Sequence, residues 1–158
     1  MKKLLICLTV LFFGFGLTGC QAEPKYFTVQ DLTITLDDSF VETSQIGVSL
    51  ALVSKKYVVA ITTNNQLSSY SLTSFGDLLE NNFKVTLDFE DAKTAEDVDF
   101  LFATYDNTGG DSIEYSYLSA IYKNNSVFYV VDFCCEKKNN SEEVMAEFLN
   151  WAKTVVFN

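Results

Sequence analysis

Carboxylates are the one reactive group that this sequence holds in quantity. Twenty-one aspartates and glutamates face eleven lysines, and the 158 residues include neither arginine nor histidine. Two acidic clusters stand out: Asp88, Glu90 and Asp91, then Glu96, Asp97 and Asp99. Converging carboxylate oxygens bind calcium, and two carboxyl groups across a cleft hydrolyse glycosides. Neither cluster has the spacing of a calcium loop, so the plainer reading is a solvated acidic face. Asp106-Asn107-Thr108-Gly109-Gly110-Asp111 has the residues of a metal loop, but a polar turn needs the same ones. Without histidine there is no Ser-His triad and no imidazole ligand for a metal. No Gly-x-Ser-x-Gly and no Gly-rich phosphate loop occurs, and no serine has a lysine at a spacing that supports Ser-Lys catalysis. The expectation is a chain that is not an enzyme and carries no cofactor and no metal.

The clearest chemistry lies at a cysteine. Met1-Lys2-Lys3 is a positive start, Leu4 to Phe15 is almost wholly apolar, and Gly14, Gly16 and Gly19 are small residues near a cleavage point. That is the three-part layout of a secretory signal, and the apolar run is too short for an ordinary spanning helix. Leu17-Thr18-Gly19-Cys20 resembles the bacterial lipobox. The resemblance implies diacylglycerol on the Cys20 thiol, cleavage before it, and Cys20 as the lipid attachment site. Two acyl chains make a lasting anchor, at about 0.8 kcal/mol per buried methylene. Residues 1–19 are then the signal peptide, 20–25 a lipidated tether with the single proline at Pro24, and 26–158 one domain.

Processing changes both charge and cysteine arithmetic. Loss of Lys2 and Lys3 leaves nine lysines against twenty-one acids, a net charge of −12. Such a domain repels nucleic acid. It is also held off an anionic bilayer, so the lipid must do the anchoring. Cys7 leaves and Cys20 is acylated, so only Cys134 and Cys135 remain. Neighbours in a strand point to opposite faces, which predicts two free thiols; a vicinal redox disulfide or a soft-metal pair is the alternative.

Aromatic residues supply the last candidates. Tyr105, Tyr115, Tyr117, Tyr122 and Tyr129 crowd into the second half of the chain. They read as core with the hydroxyl reaching solvent, or as a recognition patch on a sheet. Trp151 borders an apolar stripe and reads as core or a lid on the sheet edge, with ligand stacking as the alternative.

The elements that position these groups follow from periodicity. Tyr26 to Leu36 alternates with a break at Gln30-Asp31, giving two short strands or one kinked one. Asp37-Asp38-Ser39 is a turn, after which Phe40 and Val41 return to the core. Val48–Val53 and Tyr57–Thr62 are strands about a Ser54-Lys55-Lys56 turn. Tyr70–Phe83 is a helix with Ser71, Thr73 or Ser74 as its cap and Phe75, Leu78, Leu79 and Phe83 as its apolar stripe. Val85, Leu87 and Phe89 suit an exposed strand, and Glu90–Asp97 a loop. Val98–Tyr105 is a strand. Ile113–Cys135 is a long hairpin turning at Lys123-Asn124-Asn125-Ser126, with apolar residues on both parities as a doubly covered strand requires. Asn140 with Glu143 caps a last helix, whose stripe runs from Val144 to Val156. Strands, helix, strands, helix is an α+β order with an antiparallel sheet flanked by helices.

The same order resembles the PsbP/Mog-type fold, which includes DcrB-like envelope proteins. The residues that carry it are Leu32–Leu36 with Phe40, the helix Leu72–Leu79, the hairpin Tyr115–Phe133, and Phe148-Leu149-Asn150-Trp151-Ala152-Lys153-Thr154-Val155. It implies a three-layer α/β/α sandwich, and no functional residue carries over, because proteins of this fold do unrelated things. The expected function is a non-enzymatic binding or scaffold module, extracytoplasmic and lipid-anchored to a bacterial cell membrane. Its partners would be that membrane and another envelope protein. A small-ligand or calcium-binding receptor is the alternative.

Overall fold

The computed structural model describes residues 23–83 and 86–158. Cys20, the signal, Gln21 and Ala22 of the tether, Lys84 and Val85 lie outside the described residues. Every strand pairing is antiparallel. Seven strands form one sheet in the order β3 (Val41–Thr43), β4 (Leu50–Val53), β5 (Tyr57–Asn64), β9 (Val127–Glu136), β8 (Glu114–Asn124), β7 (Asp99–Thr108) and β6 (Glu90–Lys93). A smaller sheet holds β1 (Pro24–Val29), β2 (Leu32–Asp37) and β10 (Val156–Phe157). The helices are α1 (Leu72–Phe83) and α2 (Glu142–Ala152).

The hairpin β8–β9 is the centre of the molecule, as its two-parity pattern predicts. Asn124 pairs with Val127, and Asn125 takes φ +53° in the turn, where asparagine is tolerated. One face of β9 presents Tyr129, Val131, Phe133 and Cys135 to the main core. There they meet Phe148 and Ala152 of α2 and Leu32, Ile34 and Leu36 of the small sheet. Trp151 closes this core with ring centroids 5.3 Å from Phe40, 5.6 Å from Tyr57 and 5.8 Å from Phe148, so its role is packing. The other face presents Phe128 to α1, where Phe75 stacks on it at 4.2 Å. Gly76 lets the Phe89 ring pack closely on α1, since a Cβ there would lie 3.3 Å from it.

Several expectations need correction. Val41 is exposed, because β3 is an edge strand and Phe40 alone turns inward. Glu90–Lys93 is strand β6 rather than loop, paired with Asp99–Phe102. An edge strand with solvent on both faces has no apolar alternation to read. Leu87 is buried outside any strand. The turn after β7 starts later than expected, because Asp106 to Thr108 still pair with β8. Helix α2 is capped by Ser141, whose Oγ accepts from the Val144 N–H at 3.3 Å, and not by Asn140. It ends at Ala152; Val156 and Phe157 form β10 against β2. β1 starts at Pro24 and takes in the last two residues of the expected tether. The core under α2 is shared with the small sheet, so this α+β domain is richer in strands than the pattern predicts.

Phe148 has no exposed surface and touches the rings of Tyr57, Phe133 and Trp151. Phe148→Ala should cost about 3–5 kcal/mol, the usual range for an emptied aromatic site, read as a lower urea midpoint with m unchanged.

Candidate functional site

The fold divides the groups that the sequence marks for chemistry. Lys93 Nζ lies 2.7 Å from Asp97 and 3.5 Å from Asp99, so a cation bridges the second acidic cluster. Among the described residues, no three acidic or thiol groups come together as a metal site would need. Asp111 accepts from the Tyr115 hydroxyl at 2.7 Å and the Ile113 N–H at 3.0 Å. Those bonds close the turn after β7 and hold the Asp111 carboxyl below its ordinary range, the Tyr115 bond contributing most. Asp106 is lowered chiefly by the Ser116 hydroxyl, which donates to it at 2.6 Å, and Lys137 stands 3.3 Å away.

The tyrosines separate into two groups. Tyr122 and Tyr129 are core residues on the α2 side, and the Tyr122 hydroxyl donates to the Ala152 carbonyl at 2.7 Å. Tyr105, Tyr115 and Tyr117 lie half-buried on the opposite face, beyond the reach of α1. Tyr105 and Tyr117 are directly paired across β7 and β8, with rings stacked 5.1 Å apart and 8° from parallel. Tyr115 follows on the same strand, its ring 6.4 Å from Tyr117.

Beneath the rings lies a buried polar group that sequence reasoning missed. Asp132 on β9 is paired with Ser119 on β8, and Ser119 with Ala103 on β7. Ser119 Oγ is in a short hydrogen bond with Asp132 Oδ1 and lies 3.2 Å from the Tyr105 hydroxyl. Ser119 has one proton, so the direction of this chain depends on Asp132. An ionised Asp132 accepts from Ser119, which accepts from Tyr105; a protonated Asp132 reverses both bonds. Asp132 keeps some solvent-accessible area, yet it is closely surrounded by protein. Burial raises its carboxyl from the ordinary value, and the Ser119 bond only partly opposes the shift. Burial also pushes Tyr105 up to about 12, with the Asp132 charge adding to it. Tyr117 is raised mainly by burial and next by Cys134. The signal for Asp132 in the sequence is a lone acid inside Phe128-Tyr129-Val130-Val131-Asp132-Phe133, a run otherwise fit for two buried faces.

The two thiols point to opposite faces, as neighbours in a strand must. Cys135 lies in the α2 core, and Cys134 lies under Tyr117. Both are buried and free. Burial pushes the Cys134 thiol up to about 11 and also raises Cys135. Both are therefore thiols at neutral pH and weak nucleophiles. What this face offers is flat aromatic area with hydroxyls, over a desolvated acid. A cleft of about 240 Å³ is lined by Thr104, Tyr105, Asp106, Ser116, Tyr117 and Asn140, of which Thr104, Asp106 and Ser116 belong by register to the α2 side of the sheet.

Comparison with known proteins bears on the fold. No family model matches the chain, and no curated protein matches it. Cyanobacterial PsbP (CyanoP) from Synechocystis sp. PCC 6803 superposes with a TM-score of 0.66 at 12% identity, over 87% of this chain and 94% of that one. The fold is PsbP-like. A protein from Bacteroides thetaiotaomicron VPI-5482 has a TM-score of 0.61 at 14% identity over 85% of this chain. This chain spans about half of that protein, 48% of its length. At such identities the likeness concerns the fold alone.

The raised carboxyl of Asp132 ties stability to pH. Its folded pKa exceeds its unfolded one, so the folded state holds an extra proton between the two values. Stability therefore falls as pH rises from about 4, the ordinary value, through the raised folded value. Urea unfolding from pH 4 to 8 should show Asp132→Asn gaining stability relative to the parent as pH rises. A constant difference between the two would mean that Asp132 titrates normally. Thiol titration should find Cys134 and Cys135 unreactive to Ellman's reagent in the native protein and both reactive in urea.

Proposed function

We propose that this chain is a non-enzymatic, lipid-anchored envelope protein of a bacterium, and that it binds another envelope component through the tyrosine face of its sheet. The observation that carries the binding role is the strip Tyr105–Tyr117–Tyr115, half-buried on the part of its sheet face that, among the described residues, α1 leaves uncovered. Aromatic residues with a polar tip are enriched at protein interfaces, where one end is buried and the other hydrogen-bonds. Rigid rings also lose little entropy on binding. The anchoring role rests on Leu17-Thr18-Gly19-Cys20 behind a charged start and an apolar run. Tethering confines the domain to the membrane surface and raises its effective concentration toward partners there. Net acidity argues against nucleic acid as a partner.

The finer fold reading belongs with this proposal. The two separate apolar clusters, one under α1 and one shared by α2 and the small sheet, support a three-layer sandwich around the large sheet. A calcium or small-ligand receptor has less support, because Lys93 already bridges Asp97 and Asp99.

Two measurements test the two halves. Cys20→Ala should lose acyl labelling and leave the membrane fraction; a variant that is still acylated overturns the anchor. A photo-crosslinking residue in place of Tyr117 should trap one envelope protein in intact cells, and one in place of Thr73 on α1 should not. Tyr117→Ala should then weaken binding to that protein at least tenfold, the effect of losing an interface anchor worth about 1.4 kcal/mol or more. Equal trapping at both positions overturns the binding face.

A further inference from the structure

We infer that the end of the domain where the chain arrives from Cys20 lies against the bilayer that carries the anchor, with Lys55 and Lys56 as its contacts with anionic phospholipid headgroups. This rests on the lipid-anchor reading above. Only Gln21, Ala22 and Glu23 separate Cys20 from the first strand. At 3.3–3.6 Å per residue the link from Cys20 to Pro24 reaches about 14 Å at most. Strand β9 has ten residues, and at about 3.4 Å each it is about twice that length. The domain therefore cannot present its far end to the membrane.

Register shows which surface is near. Pro24 pairs with Asp37, and Lys25 Nζ donates to the Phe40 carbonyl at 2.9 Å. A cleft of about 490 Å³ brings Asp37 and Ser39 to the Ser54-Lys55-Lys56 turn. The same end of the strands holds Tyr26 and Val41, exposed at 69% and 53%. Exposed lysines beside a tyrosine and an aliphatic side chain are the makings of a surface that sits at the headgroup level.

The charge pattern supports this assignment. Lys55 and Lys56 are exposed and make no ion pair among the described residues. Lys137 and Lys138, toward the same end, are paired with Asp106, Glu114 and Glu136. Asp37, Asp38 and, in the same cleft, Glu147 of α2 also lie here, so two lysines would not recruit the domain from solution; they act on a domain already tethered. The acidic run is at the other end: Asp99 pairs with Lys93, and Phe100 beside it with Tyr122 near the β8–β9 turn. An anionic surface attracts the unpaired Lys55 and Lys56 and repels the acidic run at the far end. Each lysine at such a surface favours the oriented state about fivefold, and salt screens the effect.

The test uses the mature lipidated protein in phosphatidylcholine vesicles with and without phosphatidylglycerol. A bimane label is placed by Ser39→Cys at the near end or Ser126→Cys at the far end, with nitroxide-headgroup lipid as quencher. In anionic vesicles the Ser39 label should be quenched several-fold more than the Ser126 label. High salt, or Lys55→Gln with Lys56→Gln, should shrink the difference several-fold. Equal quenching at the two positions, or a difference that the double variant leaves unchanged, overturns the inference. The intact mass of the mature chain reads the diacylglycerol on Cys20 separately. Should it be absent, the anchor reading fails by itself, and coupling Cys20 to a maleimide lipid lets the same quenching judge the lysine surface.

Discussion

The middle position of β9 is the constraint on which the rest of the structure depends. It has β5 on one side and β8 on the other, so its backbone is fully paired and its side chains meet protein on both faces. A polar group on such a strand has little access to water and needs a partner inside the protein. Asp132 finds Ser119 on the neighbouring strand, and Ser119 finds Tyr105 on the next. Three adjacent strands are thus joined by side chains as well as by backbone. With no cation beside it, the acid answers desolvation by holding its proton more tightly.

The two faces of the large sheet are covered unequally. On one face α2 and the small sheet supply Phe148, Ala152, Leu32, Ile34 and Leu36. On the other, α1 is twelve residues long, about 18 Å at 1.5 Å per residue, and buries only the end around Phe128, Ile121 and Leu101. The remainder is roofed by tyrosines packed on one another. Such a roof uses rings as apolar cover and gives its hydroxyls partners within the protein, Tyr105 with Ser119 and Tyr115 with Asp111.

The sequence made the centre of this fold readable and its edges obscure. Val130, Val131, Phe133 and their neighbours follow the rule for a strand buried on both faces, so the hairpin and its Asn125 turn could be placed. β6 could not, because Glu90 and Asp91 answer to solvent on both sides and only pairing with β7 makes them a strand. The two-residue β10 is hidden because Val155 and Val156 continue the stripe of α2, and only pairing with β2 makes it a strand. The division of the tyrosines was hidden for a simpler reason. Tyr117 and Tyr122 differ in parity, but which parity α1 leaves open is a fact of tertiary packing. Asp132 stands out only once its strand is known to be covered on both faces, and its partner Ser119, thirteen residues earlier, only through register.

The antiparallel pair β1–β2 has a mechanical consequence. Its turn, with Gln30 at φ +50°, lies far from the point where the chain enters, and its six register pairs run back to Pro24 and Asp37. β2 is held on its other side by β10, and Asn158 adds bonds to Asp31 and Thr33. A pull on the chain at Pro24, directed along the strands, acts in shear. It loads all six pairs at once instead of peeling them one after another. The strand that takes such a pull is thus arranged to resist sliding, and the C-terminal residues brace the strand it would slide against.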